Sequence, residues 1–199
     1  MKRLFFLLLL LASQPVFAQT ATIRLEDLSV KIRPLMPIMD PELHDKQVQK
    51  HARVIMELAD ALEGATITLH NTSLSQISIY MRYETSLSIS REGPHCDLLD
   101  WKHFLSPWKR LSQEGKLRFV AARYTDEERQ KFPLVNNAEM KAAVARKCEG
   151  WEELLDGVTS PTQYPARVGI SKYILRIVGT DKVGKRVHRY ITFEMPMGC

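Results

Sequence analysis

Residues 76–91 read Gln-Ile-Ser-Ile-Tyr-Met-Arg-Tyr-Glu-Thr-Ser-Leu-Ser-Ile-Ser-Arg, and their large apolar side chains fall almost entirely on odd-numbered positions. Successive side chains of a β-strand point to opposite faces. This period therefore predicts a strand with one apolar face that must be covered and one polar face that meets water. Because the stretch is long for one strand, we expect a bend or turn near Glu84 to Ser86 with the alternation kept.

Further alternating runs predict strands before and after this stretch. They cover residues 22–33 in two parts, 66–70, 117–124, 168–178 and 187–195. The run at 66–70 is followed by Asn71-Thr72-Ser73, which has turn composition, so we expect a hairpin with the central stretch. The last two runs flank a segment rich in turn residues and predict another hairpin.

A long helix is predicted at residues 41–63. Asp40 can cap its free backbone amides, and Pro41 suits the first helical position. Apolar side chains then recur at helical spacing as far as Leu62, and Gly64 provides a left-handed stop.

Shorter helices are expected between the later strands. They cover residues 97–108 with an interruption at Pro107, a turn after the capping box at 125–128, and residues 136–155 with a weak point at Gly150. Strands at both ends, helices between them and no β-α-β rhythm together predict an α+β fold. We expect an antiparallel β-sheet or an Ig-like β-sandwich with a long N-terminal helix and helical insertions between strands.

The N-terminus has the three parts of a secretory signal peptide. Lys2 and Arg3 precede an apolar run at residues 4–12, and Val16-Phe17-Ala18 offers a cleavage point. We therefore expect removal of residues 1–18, and a single domain over residues 19–199 that is periplasmic or secreted. The apolar run is shorter than the ~20 residues that cross a membrane, so an uncleaved anchor is less favoured and no membrane span is expected after cleavage.

The formal net charge of +5 is small, and the basic residues are spread along the chain. A nucleic-acid-binding protein is expected to gather Lys and Arg into a cluster, so we expect no nucleic-acid partner. The sequence also lacks a glycine-rich phosphate loop, a paired-cysteine zinc pattern and a His-Glu-x-x-His motif. No cofactor is therefore expected.

Three cysteines, Cys96, Cys148 and Cys199, can form at most one internal disulfide. An oxidising compartment favours such a bond, but the spacing alone does not give the pair. We favour Cys96 with Cys199, because a terminal cysteine can tie down a chain end that would otherwise fray. Cys148 lies in a predicted helix, where it can serve as a small buried hydrophobic residue, and a bridge between two chains is the remaining alternative.

The densest group of reactive side chains comprises His95, Asp97, Asp100 and His103. On a helix, the last three follow one another at three-residue spacing and would present two carboxylates and an imidazole on one face. Such a face could hold a metal ion or transfer protons. A capped helix with a polar outer face explains the same pattern more simply.

Three functions are considered. We favour a non-catalytic exported binding protein with a protein partner in the cell envelope, in its narrower form an immunity-type inhibitor of a cell-envelope toxin, because no catalytic motif is present. Trp101, Trp108 and Trp151 could supply a carbohydrate or peptide platform, although core packing explains them as well. The alternatives are an exported hydrolase that uses the polar group above, and a structural subunit of an envelope assembly that pairs through a sheet edge.

Overall fold

The computed structural model describes residues 20–33, 37–38, 50–56 and 62–197, and strands dominate them. These strands are β1 Ala21–Leu25, β2 Leu28–Arg33, β3 Pro37–Ile38, β4 His51–Met56, β5 Thr66–His70, β6 Ser75–Ser90, β7 His95–Leu98, β8 Phe104–Leu105, β9 Lys109–Arg110, β10 Ser112–Gly115, β11 Arg118–Val120, β12 Ala166–Thr180 and β13 Arg186–Glu194. The helices are α1 Asp126–Arg129, α2 Asn137–Lys147 and a 3-10 helix at Glu152–Leu155. The predicted signal peptide at residues 1–18 lies outside the described residues.

The strands form two sheets. The smaller sheet has the antiparallel order β1, β2, β5, β11, β10. The larger sheet follows the path β3, β4, β13, β12, β6, β7, and β8 and β9 also pair with β6. It is a mixed sheet, because β4 runs parallel to β13 while the other described pairs are antiparallel.

The predicted hairpin between residues 66–70 and the central stretch is wrong. Both strands form, but β5 belongs to the smaller sheet and β6 to the larger one. The two edges of β5 are already occupied by β2 and β11, so β6 has no edge to pair with. The segment Asn71-Thr72-Ser73 therefore carries the chain from one sheet to the other, and Asn71 takes the positive φ of 49° that this change of direction requires.

The central stretch is one long strand, as its alternation predicts. β6 pairs with β12 from Ser75 opposite Thr180 to Ile89 opposite Ala166. The bend or turn expected in this stretch near Glu84 to Ser86 is wrong, because β6 stays paired there and the irregularity lies on the partner strand. The register of β12 shifts between Ile170 and Lys172, so one residue is inserted there as a β-bulge while β6 continues.

The two sheets pack face to face through alternate residues of their strands. Odd-numbered side chains of β6 meet the inner side chains of the smaller sheet. These include Val30, Ile32, Ile67 and Phe119 of the smaller sheet and Ile79, Met81, Leu175 and Phe193 of the larger sheet, each at most 2 % exposed. Each such side chain contributes roughly 1.5–3 kcal/mol when fully buried, so this layer is the main source of stability.

Beyond the bulge, helices replace the smaller sheet as the cover of β6. Leu87 and Ile89 pack with Met140 and Val144 of α2 and with Leu155 of the 3-10 helix in a second buried cluster. None of the helices in the described part of the chain has the length and apolarity to cross a membrane.

The predicted capping box at residues 125–128 and the predicted helix start at Asn136 are confirmed. Thr125 caps α1 and Asn136 caps α2, and each forms a reciprocal capping box with a glutamate three residues later. The predicted helix over 136–155 is interrupted around Gly150, which has a φ of 81°, and resumes as the 3-10 helix.

The α+β fold with a long N-terminal helix over residues 41–63 is wrong. Within that range, residues 51–56 form β4, in which Ala52, Val54 and Met56 point inward and the residues between them are exposed. The apolar residues of this segment fit both the alternation of a strand and the spacing of a helix. Pairing with β13 favours the strand. Among the described residues, helices occur between β11 and β12 alone, so the fold is mainly β.

The predicted bond between Cys96 and Cys199 is replaced by a disulfide between Cys96 and Cys148, with an S–S distance of 1.98 Å. Cys96 lies on β7 and Cys148 is the C-terminal cap of α2. The bond therefore fixes the helical cover to the edge of the larger sheet. Cys199 lies outside the described residues.

Loss of this disulfide should destabilise the fold. The bond joins residues 52 positions apart, and the chain-entropy relation gives about 4 kcal/mol for a loop of this size. We expect Cys96→Ser and Cys148→Ser each to lower the free energy of unfolding by about 2–4 kcal/mol in non-reducing urea titrations. Cys199→Ser is the matched control and should leave it unchanged; a digest that yields a peptide linked through Cys199 to Cys96 would contradict this pairing.

Candidate functional site

The predicted polar group does not assemble on a helix. His95 and Asp97 lie on β7, where residues two positions apart share a side, and the Nδ1 atom of His95 is 3.0 Å from Oδ1 of Asp97. Asp100 follows the strand, and its side chain is 93 % exposed. His103 is also exposed.

The predicted helix does not form because the segment alternates between inward and outward side chains and pairs as β7, although Asp97 could have capped a helix. Cys96 and Leu98 point inward and are 1 % and 3 % exposed, opposite Ile89 and Leu87 of β6. In the described residues, no group of three or more His, Cys, Asp or Glu side chains is placed to hold a metal ion. The geometry on which a hydrolase was predicted is therefore missing.

The three tryptophans lie in two different environments. Trp101 and Trp151 are partly buried against the second cluster, and the Trp101 ring lies 6.3 Å from that of Phe132. Trp108 instead lies beside Arg82 and Arg176 of the larger sheet. Core packing thus explains two tryptophans, and the third belongs to a surface.

This surface is the outer face of the larger sheet, opposite the side that meets the smaller sheet. We call it the basic-aromatic face, and apart from Glu84 none of its side chains is buried. It comprises His51, Arg53, Tyr80, Arg82, Glu84, Trp108, Arg110, Lys172, Ile174, Arg176, His188, Tyr190, Thr192 and Glu194.

The register of the sheet arranges these residues in rows. One row runs across five strands from His51 through Tyr190, Arg176 and Tyr80 to Arg110. Directly opposite residues on neighbouring strands are within side-chain reach, so the row places two cations, Arg176 and Arg110, beside aromatic rings. The guanidinium carbon of Arg176 lies 4.7 Å from the centre of the Tyr80 ring.

Two arginines share Trp108. The guanidinium carbons of Arg82 and Arg176 lie 4.3 Å and 4.4 Å from the centre of the indole ring. Cations over an aromatic face are attracted by the ring quadrupole, which holds both side chains in place. The Nε atoms of both arginines are buried and have no hydrogen-bond partner among the described residues.

Charge on this face is unbalanced. Arg53 pairs with Glu194 at 2.5 Å, and Lys172 pairs with Glu84 at 2.7 Å. These pairs use both carboxylates of the face. Three guanidinium groups of this face therefore have no ion pair among the described residues, and they belong to Arg82, Arg110 and Arg176.

The unpaired charges affect each other. Burial and repulsion from Arg176 lower the pKa of the Arg82 guanidinium below its ordinary value. Arg110 is less constrained, since it is exposed and donates to the Ser78 hydroxyl at 3.1 Å. An anion placed near Arg82 and Arg176 would relieve the repulsion between them.

A second candidate is an open cavity of about 420 Å³ beside α1. Glu63 lies at its wall and accepts hydrogen bonds from the Tyr173 hydroxyl at 2.5 Å, Arg129 at 2.8 Å and the Tyr124 amide at 2.9 Å. Arg167, also in the wall, donates to the carbonyl of Met197. Glu63 and Asp126 are paired with Arg129, and Arg167 is held by a backbone carbonyl, so among the described residues the arrangement serves to tie α1 to the sheet.

The tyrosines around Glu63 must stay protonated in the folded protein. Burial, followed by the hydrogen bond and the charge of Glu63, raises the pKa of Tyr173 far above its ordinary value. Burial and the charge of Glu63 likewise raise the pKa of Tyr124. A tyrosine whose pKa is raised on folding stabilises the fold below its unfolded pKa of about 10, and this contribution is lost as the pH rises further.

Stability should therefore fall above about pH 10, by up to about 1.4 kcal/mol per pH unit for each tyrosine involved. We expect Tyr173→Phe to lose about 1–3 kcal/mol at neutral pH, because Glu63 loses a hydrogen bond. The same variant should show a shallower fall in the free energy of unfolding above pH 10, measured by urea titration. An unchanged slope in Tyr173→Phe would contradict the role of this hydroxyl.

Comparison with known protein families, with curated proteins and with solved structures finds no match to this chain. Function is therefore argued from its own residues. The basic-aromatic face is the feature that sequence reasoning missed. Its signal was the even parity of β6 and β13, which was interpreted as a face that simply meets water.

Proposed function

We propose that the protein is a non-catalytic exported binding protein of the cell envelope, and that the basic-aromatic face binds an acidic protein partner. The observation that carries this proposal is the set of three guanidinium groups, Arg82, Arg110 and Arg176, which have no ion pair among the described residues. They lie beside Trp108 and two tyrosines on a partly exposed sheet face.

The composition of the face supports a protein partner. Tryptophan, tyrosine and arginine are the residue types that supply most of the binding energy at protein interfaces. Rings that are already held by neighbouring side chains lose little conformational entropy when a partner binds. The face offers Trp108, Tyr80 and Tyr190 in this state, because each contacts a neighbouring cation or ring.

The charge of the face supports an acidic partner but not a nucleic acid. Unpaired guanidinium groups favour a negative surface and would speed its association. Glu84 and Glu194 neutralise Lys172 and Arg53, so three cations of the face are left to attract an anion. A continuous phosphate backbone carries charge at every nucleotide and is typically bound by a larger basic cluster, whereas a folded acidic surface can place a few carboxylates opposite these three.

The structure gives the alternative functions unequal support. A hydrolase loses its support, because Asp97, Asp100 and His103 do not share a helical face. An immunity-type inhibitor is a narrower form of the proposed function, and the identity of the partner decides it. A structural subunit of an envelope assembly stays a prediction that measurement of the oligomeric state would test.

Capture of the partner from envelope extracts tests the proposal, with Arg110→Glu as the face variant. We expect this substitution to lower the captured amount at least tenfold, because it turns an attraction into a repulsion at an exposed site. Capture by the unchanged protein should also weaken as salt is added, as expected for exposed charges. The bound protein, identified by mass spectrometry, should have an acidic surface.

Arg118→Glu is the matched control. Arg118 is also an exposed arginine on a short strand, but it belongs to the smaller sheet, and its side chain is 58 % exposed. Arg118→Glu changes the net charge by the same amount as Arg110→Glu, but on a different sheet. Equal loss of capture in both variants, or no loss in Arg110→Glu, would overturn the proposed binding face.

A further inference from the structure

We infer that Arg82, Arg176 and Trp108 form a subsite for a carboxylate of the partner, such as a glutamate or aspartate side chain. This inference rests on the proposed function, since it names the chemical group that the face recognises. Its evidence is the arrangement of the two arginines and not the overall charge of the surface.

The subsite is formed by the pairing of β6 with β12. Arg82 lies opposite Ile174, and Arg176 lies opposite Tyr80, so the two arginines occupy diagonal positions on neighbouring strands. Side chains at diagonal positions can meet when they are long. Both guanidinium carbons lie within 4.4 Å of the Trp108 ring centre, so the two cations contact the same indole.

Two cations held together at a partly covered site are unfavourable unless an anion joins them. The carboxylate nearest in sequence, Glu84, is engaged by Lys172, and Glu194 is engaged by Arg53. In the described part of the chain, no ion pair therefore neutralises Arg82 or Arg176. A carboxylate from a partner would supply the negative charge that these residues do not place between the two arginines.

A carboxylate matches the donors that remain. The Nε atoms of both arginines are covered, which leaves the terminal guanidinium nitrogens as donors for a ligand. Guanidinium groups bind carboxylates through paired, nearly planar hydrogen bonds, and a group held in place on a ring loses little entropy in doing so. One carboxylate between the two arginines would accept from both and cancel their repulsion.

Arg110 provides the internal control. It lies on the same face, opposite Tyr80, but it is exposed and donates to Ser78 instead of stacking on Trp108. A diffuse attraction between charges would depend equally on Arg82, Arg110 and Arg176. A defined subsite depends on the two arginines that share the indole.

The test measures binding of a glutamate hexapeptide with blocked ends to the full exported chain by calorimetry at low ionic strength. The matching glutamine hexapeptide should not bind. We expect Arg82→Gln and Arg176→Gln each to weaken binding of the glutamate peptide at least tenfold, and Arg110→Gln to weaken it less than threefold. Equal loss in all three variants would overturn the subsite, because the attraction would then be diffuse.

A second pair of variants keeps the charge. Arg82→Lys and Arg176→Lys retain a cation but lose the planar pair of donors, so we expect each to weaken binding at least fivefold. Circular dichroism and urea titration establish that each variant is folded before binding is compared. Binding of inorganic phosphate at least as tight as that of the glutamate peptide would also overturn a carboxylate site.

The subsite and the proposed function can fail separately. If a partner is captured in an Arg110-dependent way but Arg82→Gln captures it equally well, the subsite is wrong and the binding face stands. If the glutamate peptide binds through Arg82 and Arg176 but no acidic partner is captured, the subsite stands and the proposed function is wrong.

Discussion

The antiparallel pairing of β6 with β12 fixes every other feature of this fold. Because side chains alternate along a strand, the same register that sends Met81 and Leu175 into the core sends Arg82 and Arg176 to the opposite face. A slip by one residue would bury the arginines between the sheets and expose the apolar side chains. Packing of the core therefore fixes the strand register, and this register also fixes the positions of the side chains on the outer face.

Two different elements, the smaller sheet and the helical segment, pack on the inner side of this strand pair, and polar side chains lie where they meet. The smaller sheet covers β6 as far as Tyr83, and helices cover it from Leu87 onward. Between them, the Tyr83 hydroxyl donates to the carbonyl of Glu128, and the Thr85 hydroxyl donates to the carbonyl of Lys131. These bonds join β6 to backbone carbonyls at the end of α1 and just after it. The polar junction and the disulfide of Cys96 hold a helical segment that contributes few buried residues of its own.

The sequence predicts the strands where alternation is strict, as in β1, β2, β5, β6, β12 and β13, and the capping box at residues 125–128. It fails where two periods overlap. Residues 51–56 fit a helix and a strand equally well, and the choice depends on β13, which lies more than a hundred residues away. The predicted disulfide partner is wrong for a similar reason, because Cys96 meets Cys148 only through the packing of α2 on β7. The candidate site is invisible in the sequence because Arg82, Trp108 and Arg176 are brought together by strand register, which no local pattern gives.

Net charge is a poor guide to such a surface. A chain with a formal charge of +5 spread along its length gives no sign of a basic cluster, yet cross-strand pairing gathers five cations on one face. Their distribution matters more than their number. The neutral pairs of Lys172 with Glu84 and Arg53 with Glu194 lie in or next to one row, while Arg82 and Arg176 stack on rings beside them. Neutral pairs contribute little attraction but penalise a poorly matched partner, and unpaired, ring-held cations attract a matched one. A face built in this way selects for the position of an acidic group and not merely for negative charge.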